Sequence, residues 1–173
     1  MNSLLIFGYG YTSAYIADSL DKDQWSIIGT TRSSQSQTNI IQYNKEQIHK
    51  ALEAVTHIII SIPPVAEGDL ALGEFKELLS AAINLKWIGY LSSSSVYGNH
   101  YGAWVDENTK LIPLSERAKN RVLAEKQWLD FGRQNNININ IFCLAGIYGP
   151  GRNVLELVKV RRAKSILQEG HCF

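Results

Sequence analysis

Short apolar runs alternate along the chain with longer segments whose apolar residues recur at helical spacing. Leu4 to Phe7, Trp25 to Ile28, Ile58 to Ile62 and Trp87 to Leu91 have the length and the Gly, Pro or Ser boundaries of strands buried on both faces. Ile40 to Tyr43 predicts a shorter strand beside them. In the last run Ile137, Ile139 and Ile141 alternate with Asn138 and Asn140 before Phe142, Cys143 and Leu144, so its asparagine face needs a partner or solvent. The intervening segments predict helices over Ser13 to Leu20, Lys45 to Val55, Leu70 to Leu85, Glu116 to Phe131 and Val154 to about Ile166. Ser115 is placed to cap the fourth of these and Gly132 to close it. Strand and helix in regular alternation predict right-handed βαβ units, and hence a doubly wound parallel α/β sheet with helices on both faces. No repeat, low-complexity tract or linker interrupts the 173 residues, which predict a single domain.

Composition narrows the function classes. Lys plus Arg number 17 and Asp plus Glu 16, a net charge of +1, so no overall field recruits polyanions and neither nucleic acid nor a membrane surface is an expected partner. The apolar runs fall far short of the roughly 18 residues of a membrane span. Two cysteines, Cys143 and Cys172, make no disulfide framework, and no signal-type segment opens the chain, so a cytoplasmic location is expected. His49, His57, His100 and His171 lack ligand spacing, and no metal is expected. Arg161, Arg162 and Lys164 read as a solvated helix end rather than a nucleic-acid patch.

Chemistry is concentrated at strand ends. Gly8-Tyr9-Gly10-Tyr11-Thr12-Ser13 follows the first strand and opens the first helix, the context in which a glycine turn holds a dinucleotide. Gly8 suits the tight turn and Gly10 lets the backbone approach a pyrophosphate, while the amides of Tyr11, Thr12 and Ser13 face the anion. Ser13 stands where a third glycine is usual, and a ligand-free glycine turn is the alternative. About 20 residues further on, where a carboxylate would hold the ribose 2′-hydroxyl of NAD, the second strand ends in Gly29-Thr30-Thr31-Arg32-Ser33-Ser34. Arg32 and Ser33 suit a 2′-phosphate, which makes NADP the expected cofactor and NAD the alternative.

After the fourth apolar run comes Ser92-Ser93-Ser94-Ser95-Val96-Tyr97-Gly98, and near the end Ala145-Gly146-Ile147-Tyr148-Gly149-Pro150-Gly151-Arg152. With the glycine turn, these stretches resemble the extended short-chain dehydrogenase/reductase superfamily, of the NAD-dependent epimerase/dehydratase type that acts on nucleotide sugars. Pro63-Pro64 with Glu67-Gly68-Asp69, and Gly102-Ala103-Trp104-Val105-Asp106-Glu107, are similar to an atypical branch of it. The resemblance implies a Rossmann-type domain across 1–173, with 153–173 a remnant of the substrate-binding region. It also gives Ser93 the task of hydrogen-bonding the substrate oxygen beside the nicotinamide.

The family's acid/base pair, tyrosine and lysine in Tyr-x-x-x-Lys, does not occur. Aligning Glu125 with the glutamate that follows the motif puts Arg117 at the tyrosine position and Arg121 at the lysine position. An arginine stays protonated, so the pair is read instead as a candidate clamp for a substrate phosphate or carboxylate, four residues apart on one helix face. Ser94 and Ser95 replace the acidic pair of the dehydratases, and Tyr97 or Glu107 are the alternatives for the missing acid. The function expected is an atypical NADP-binding oxidoreductase acting on a nucleotide sugar or a similar small carbonyl or hydroxyl substrate. A non-catalytic NADP-binding sensor or regulatory protein, and an inactive truncated remnant, are the alternatives. Uncovered apolar surface on a shortened chain predicts a tendency to form a homo-oligomer.

Overall fold

The computed structural model describes residues 1–33 and 39–159. Its strands are β1 (Asn2–Phe7), β2 (Trp25–Thr31), β3 (Ile40–Gln42), β4 (His57–Ile60), β5 (Trp87–Ser93) and β6 (Asn138–Leu144). The helices are α1 (Tyr11–Ser19), α2 (Lys45–Leu52), α3 (Leu70–Ser80), α4 (Glu116–Asn135) and α5 (Val154–Lys159), with a 3₁₀ turn at Ser94–Val96. All six strands pair in parallel, in the order β3-β2-β1-β4-β5-β6. This is the doubly wound, Rossmann-like sheet, and its chain reversal falls between β1 and β4, where such folds open a ligand crevice. None of the described helices is long and apolar enough to cross a membrane.

Alternation along the strands sorts the core into two layers. Leu5, Phe7, Ile58, Ile60, Ile88 and Tyr90 face α2, α3 and α4, where they meet Ile48, Leu52, Phe75, Leu79, Trp128 and Phe131. Each such side chain, fully buried, stabilises the fold by roughly 1.5–3 kcal/mol before entropy is counted. Leu4, Ile6 and Ile59 face the other way, onto Ile16 and Ala17 of α1 and Leu20 at its C-terminal end. Among the described residues α1 is the one helix joining that second layer, so coverage of both faces holds over β1 and β2 but not over β5 and β6. There Trp87, Leu91 and Phe142 share the surface, and the Trp87 indole donates to Asn140 Oδ1 at 2.7 Å, which gives Asn140 a partner while Asn138 is exposed to solvent. Tyr101, Trp104, Leu114 and Tyr148 are exposed as well.

Several helix ends differ from those the sequence predicts, each for a local reason. Gly132 does not close α4. The helix runs on to Asn135 and stops at Asn136, whose φ of 54° is the left-handed conformation of a C-terminal cap. Gly132 is instead a point of close approach: a Cβ there would run into Ile139 and sit 2.7 Å from the Ile137 carbonyl oxygen. α3 ends at Ser80 rather than Leu85, because Ala82 and Leu85 donate to Leu79 and Ala82 in tight turns that lead the chain into β5. α2 stops at Leu52, before Val55. The predicted final helix is described only as far as Lys159; its remainder, with Arg161, Arg162, Lys164, His171 and Cys172, lies outside the described residues, as does Ser34.

Candidate functional site

The three motifs lie far apart in sequence and converge at the carboxyl ends of the strands. Gly8, between β1 and α1, has φ 89°, and its N–H donates to Thr30 Oγ1 at 2.9 Å. The next amide, of Tyr9, donates to the Thr30 carbonyl at 2.8 Å, so the end of β2 holds the turn by both its side chain and its backbone. Thr30 is a site residue that the glycine pattern alone does not reveal. Gly29 completes this arrangement by leaving room for the Tyr9 ring. Ser13 is buried and donates its hydroxyl to Gly8 O at 2.8 Å. It therefore braces the turn, and its Oγ–H is spent on the backbone rather than offered to a phosphate.

Gly10 begins α1 without any side-chain cap, whereas Asn44, Asp69 and Ser115 cap α2, α3 and α4 with their own oxygens. The first turn of α1 contains no acidic residue, so the unpaired amides of Tyr11, Thr12 and Ser13 present a positive end with no internal anion. Among the described residues beyond its chain neighbours, a Cβ at Gly10 would have no heavy atom within 4 Å, an open surface at that point. In front of it lies a cavity of about 410 Å³, lined by Gly8, Gly10, Thr31 and Arg32 on one side and by Tyr43, Ile62, Pro63, Pro64 and Val65 on the other. The Tyr43 hydroxyl is buried there, and among the described residues it has no hydrogen-bond partner. Burial, then the nearby Glu74 and Asp69, push its pKa up, so it remains a protonated donor. Arg32 is exposed at the cavity rim, and the Ser33 hydroxyl lies 3.0 Å from Thr31 Oγ1.

A second cavity, of about 510 Å³, opens beyond β5 and β6 and is lined by Ser93, Ser94, Ser95, Tyr97, His100 and Gly146 among others. Ser93 Oγ accepts from the Ser95 amide at 3.2 Å and so caps the 3₁₀ turn while facing this space. Gly98, at φ 73°, passes so close to Ile112 that any side chain would strike its carbonyl. The late glycine-rich segment folds back onto the first. Tyr11 donates its hydroxyl to Pro150 O at 3.1 Å, and the Arg152 guanidinium lies 5.4 Å from the Tyr11 ring centre.

Arg117 and Arg121 do not converge. Arg117 is exposed, whereas Arg121 donates from Nη1 to Leu91 O at 3.1 Å beneath β5, and neither lines either cavity. Below Ser93, the Ser92 hydroxyl donates to the buried carboxylate of Glu125. Burial raises the Glu125 pKa, while the Ser92 hydrogen bond and the charge of Arg121 oppose that shift. Tyr97 and Cys143 are raised too, chiefly by burial.

No protein-family model matches the chain, and no curated protein does. Solved structures do. A functionally unknown conserved protein from Silicibacter pomeroyi is 38% identical over 90% of this chain and 56% of its own, with a TM-score of 0.81. The UDP-glucuronic acid 4-epimerase of Bacillus cereus in complex with NAD shares 18% identity over 85% of this chain and 57% of its own, at a TM-score of 0.64. Vestitone reductase from alfalfa shares 22% over 83% and 56%, at 0.68. The chain thus spans a little over half the length of each of these structures. With the sheet order in place, its fold is the one that these epimerase and reductase structures share.

Proposed function

We propose that this chain binds a nicotinamide dinucleotide, with NADP preferred over NAD, and belongs to an atypical oxidoreductase acting on a nucleotide sugar or a similar small carbonyl or hydroxyl substrate. The observation that carries the reading is the convergence of the uncapped α1, the open face of Gly10 and the Arg32 side chain on one cavity. The pyrophosphate fits the free amides of Tyr11, Thr12 and Ser13, and the 2′-phosphate fits the Arg32 guanidinium with the Ser33 hydroxyl. The UDP-glucuronic acid 4-epimerase of the same fold is described with NAD bound, which supports a dinucleotide in this crevice.

When bound, the cofactor supplies hydride chemistry at its nicotinamide. The chain's own contribution is to orient: Ser93 would hold a substrate oxygen in the second cavity, and the 3₁₀ turn it caps fixes the hydroxyl's direction. In this reading 1–173 form a single dinucleotide-binding Rossmann-type domain. Calorimetric titration of the purified chain tests it. NADPH is expected to bind roughly 10- to 100-fold more tightly than NADH, the worth of one charge-assisted phosphate contact. Arg32→Ala should erase that ratio; equal affinities in the parent chain would remove the NADP assignment.

A second reading, a non-catalytic NADP-binding sensor, is favoured by the disposition of α4. At the positions of the family's tyrosine and lysine stand an exposed Arg117 and an Arg121 engaged with the Leu91 carbonyl, so neither delivers a proton to the second cavity. Consumption of NADPH with a carbonyl substrate separates the enzyme from the sensor.

A further inference from the structure

We propose that Gln127 of α4 is a positioning residue for the dinucleotide cavity, holding the loop that forms the wall opposite the glycine turn; the inference rests on the dinucleotide reading above. The wall is the segment between β4 and α3, which contributes Ser61, Ile62, Pro63, Pro64 and Val65 to the cavity. Pro63 and Pro64 have no amide hydrogen, so hydrogen bonds that fix this segment must come from its flanks. On the far flank, Val65 and Gly68 exchange backbone hydrogen bonds of 2.9 and 3.1 Å, which pinch the loop into a small closed turn. Gly68 has φ 116°, a conformation that glycine alone adopts without strain.

Gln127 spans that glycine. Its Oε1 accepts from the Asp69 amide at 3.0 Å and its Nε2 donates to Glu67 O at 3.1 Å, across sequence separations of 58 and 60 residues. A Cβ on Gly68 would fall on the Gln127 amide itself, so the missing side chain is the space this amide fills. Asp69 in turn caps α3 through the Leu72 amide at 3.0 Å, and the next residue, Leu70, returns to the cavity lining. The other end of the loop touches the glycine turn: a Cβ on Gly8 would lie 2.7 Å from Ile62 Cγ2. The far flank of the cavity loop is therefore anchored from α4, by a residue that does not itself line the cavity. Both hydrogen-bonding functions of the amide are used, which a carboxylate or an apolar side chain cannot reproduce.

The test compares the parent chain with Gln127→Met, which keeps the length and loses both hydrogen bonds, and with Gln127→Glu, which keeps only the acceptor. NADPH affinity by calorimetry and amide hydrogen exchange without ligand are measured on each. The expected result for Gln127→Met is affinity weaker by about tenfold, with faster exchange at Gly68 and Asp69 and unchanged exchange in β1 and β4. Gln127→Glu should fall between. A purely structural role would instead accelerate exchange across the α3 and α4 core and leave the affinity of the folded fraction intact, which overturns the proposal. Parent-level affinity in Gln127→Met overturns it as well, and does so without touching the dinucleotide reading. A parent chain that binds no dinucleotide overturns that reading and this proposal with it.

Discussion

Replacing Gly8 with valine is expected to abolish dinucleotide binding and to lower the melting temperature by roughly 5–15 °C. Two costs combine. At φ 89° a branched side chain is strained by roughly 1–2 kcal/mol, and its Cβ would lie 2.7 Å from Ile62 Cγ2 and 3.2 Å from the Ile62 amide nitrogen. The side chain of Ile62 can turn aside, but its backbone belongs to the loop braced by Gln127, so overpacking adds roughly 1–3 kcal/mol. Gly10→Ala is the informative companion. There φ is −99° and a Cβ meets no atom of the described residues beyond its chain neighbours within 4 Å, so the fold should keep its melting temperature. The added methyl projects into the space assigned to the pyrophosphate, and NADPH affinity should fall by at least tenfold. Thermal melts and calorimetry on both variants check this; a Gly10→Ala chain that binds NADPH normally would place the phosphates elsewhere.

The contrast between these two glycines shows what the sequence discloses and what it does not. Their positions after an apolar run and before a helix are enough to mark a tight glycine turn opening a helix, because the constraint is local. The same holds for the six strands and for the Ser115 cap, which accepts from the Ala118 amide at 3.2 Å. Thr30 and Gln127 carried no such mark. Each acts through one side chain on the backbone of a segment 22 or about 60 residues away, and nothing in a threonine at a strand end or a glutamine on a helix announces that partner. Gly132 departs from its expected role for a related reason. A glycine near a helix end usually serves as its terminus, but here the approach of Ile139 in β6 requires it, and Asn136 ends the helix. The arginine pair shows the limit of helical spacing. Four residues place Arg117 and Arg121 on one face, yet packing on β5 turns Arg121 toward the Leu91 carbonyl and leaves Arg117 in solvent.

Removing the carboxylate below the serine cluster should change stability with a sign that depends on what replaces it. Glu125 is buried, and the Ser92 hydroxyl donates to it. Glu125→Ala leaves that hydroxyl without an acceptor and a void in the α4 packing, a loss of about 3 kcal/mol. Glu125→Gln keeps an oxygen for Ser92 and removes the charge. Burial raises the folded-state pKa of Glu125 above its ordinary value of 4.5, so below that value the carboxyl is protonated in both states and its contribution is complete. As pH rises through the folded-state value the native protein must either ionise in a poorly solvated site or hold a proton that the unfolded chain releases, and stability falls. The amide has no such cost. Asp69, also raised by burial, and His57, lowered by burial and then by the charge of Lys86, add their own slopes, the latter losing stability as pH falls below its ordinary 6.5. Both residues are shared by parent and variant, so their slopes cancel in the difference between the two unfolding free energies. Urea unfolding at pH 4, 5, 6 and 7 should therefore show Glu125→Gln gaining on the parent steadily with pH. A difference that stays flat would mean that Ser92 and Arg121 together offset burial, and one that grows toward pH 4 that they outweigh it and hold Glu125 as a carboxylate beneath Ser93.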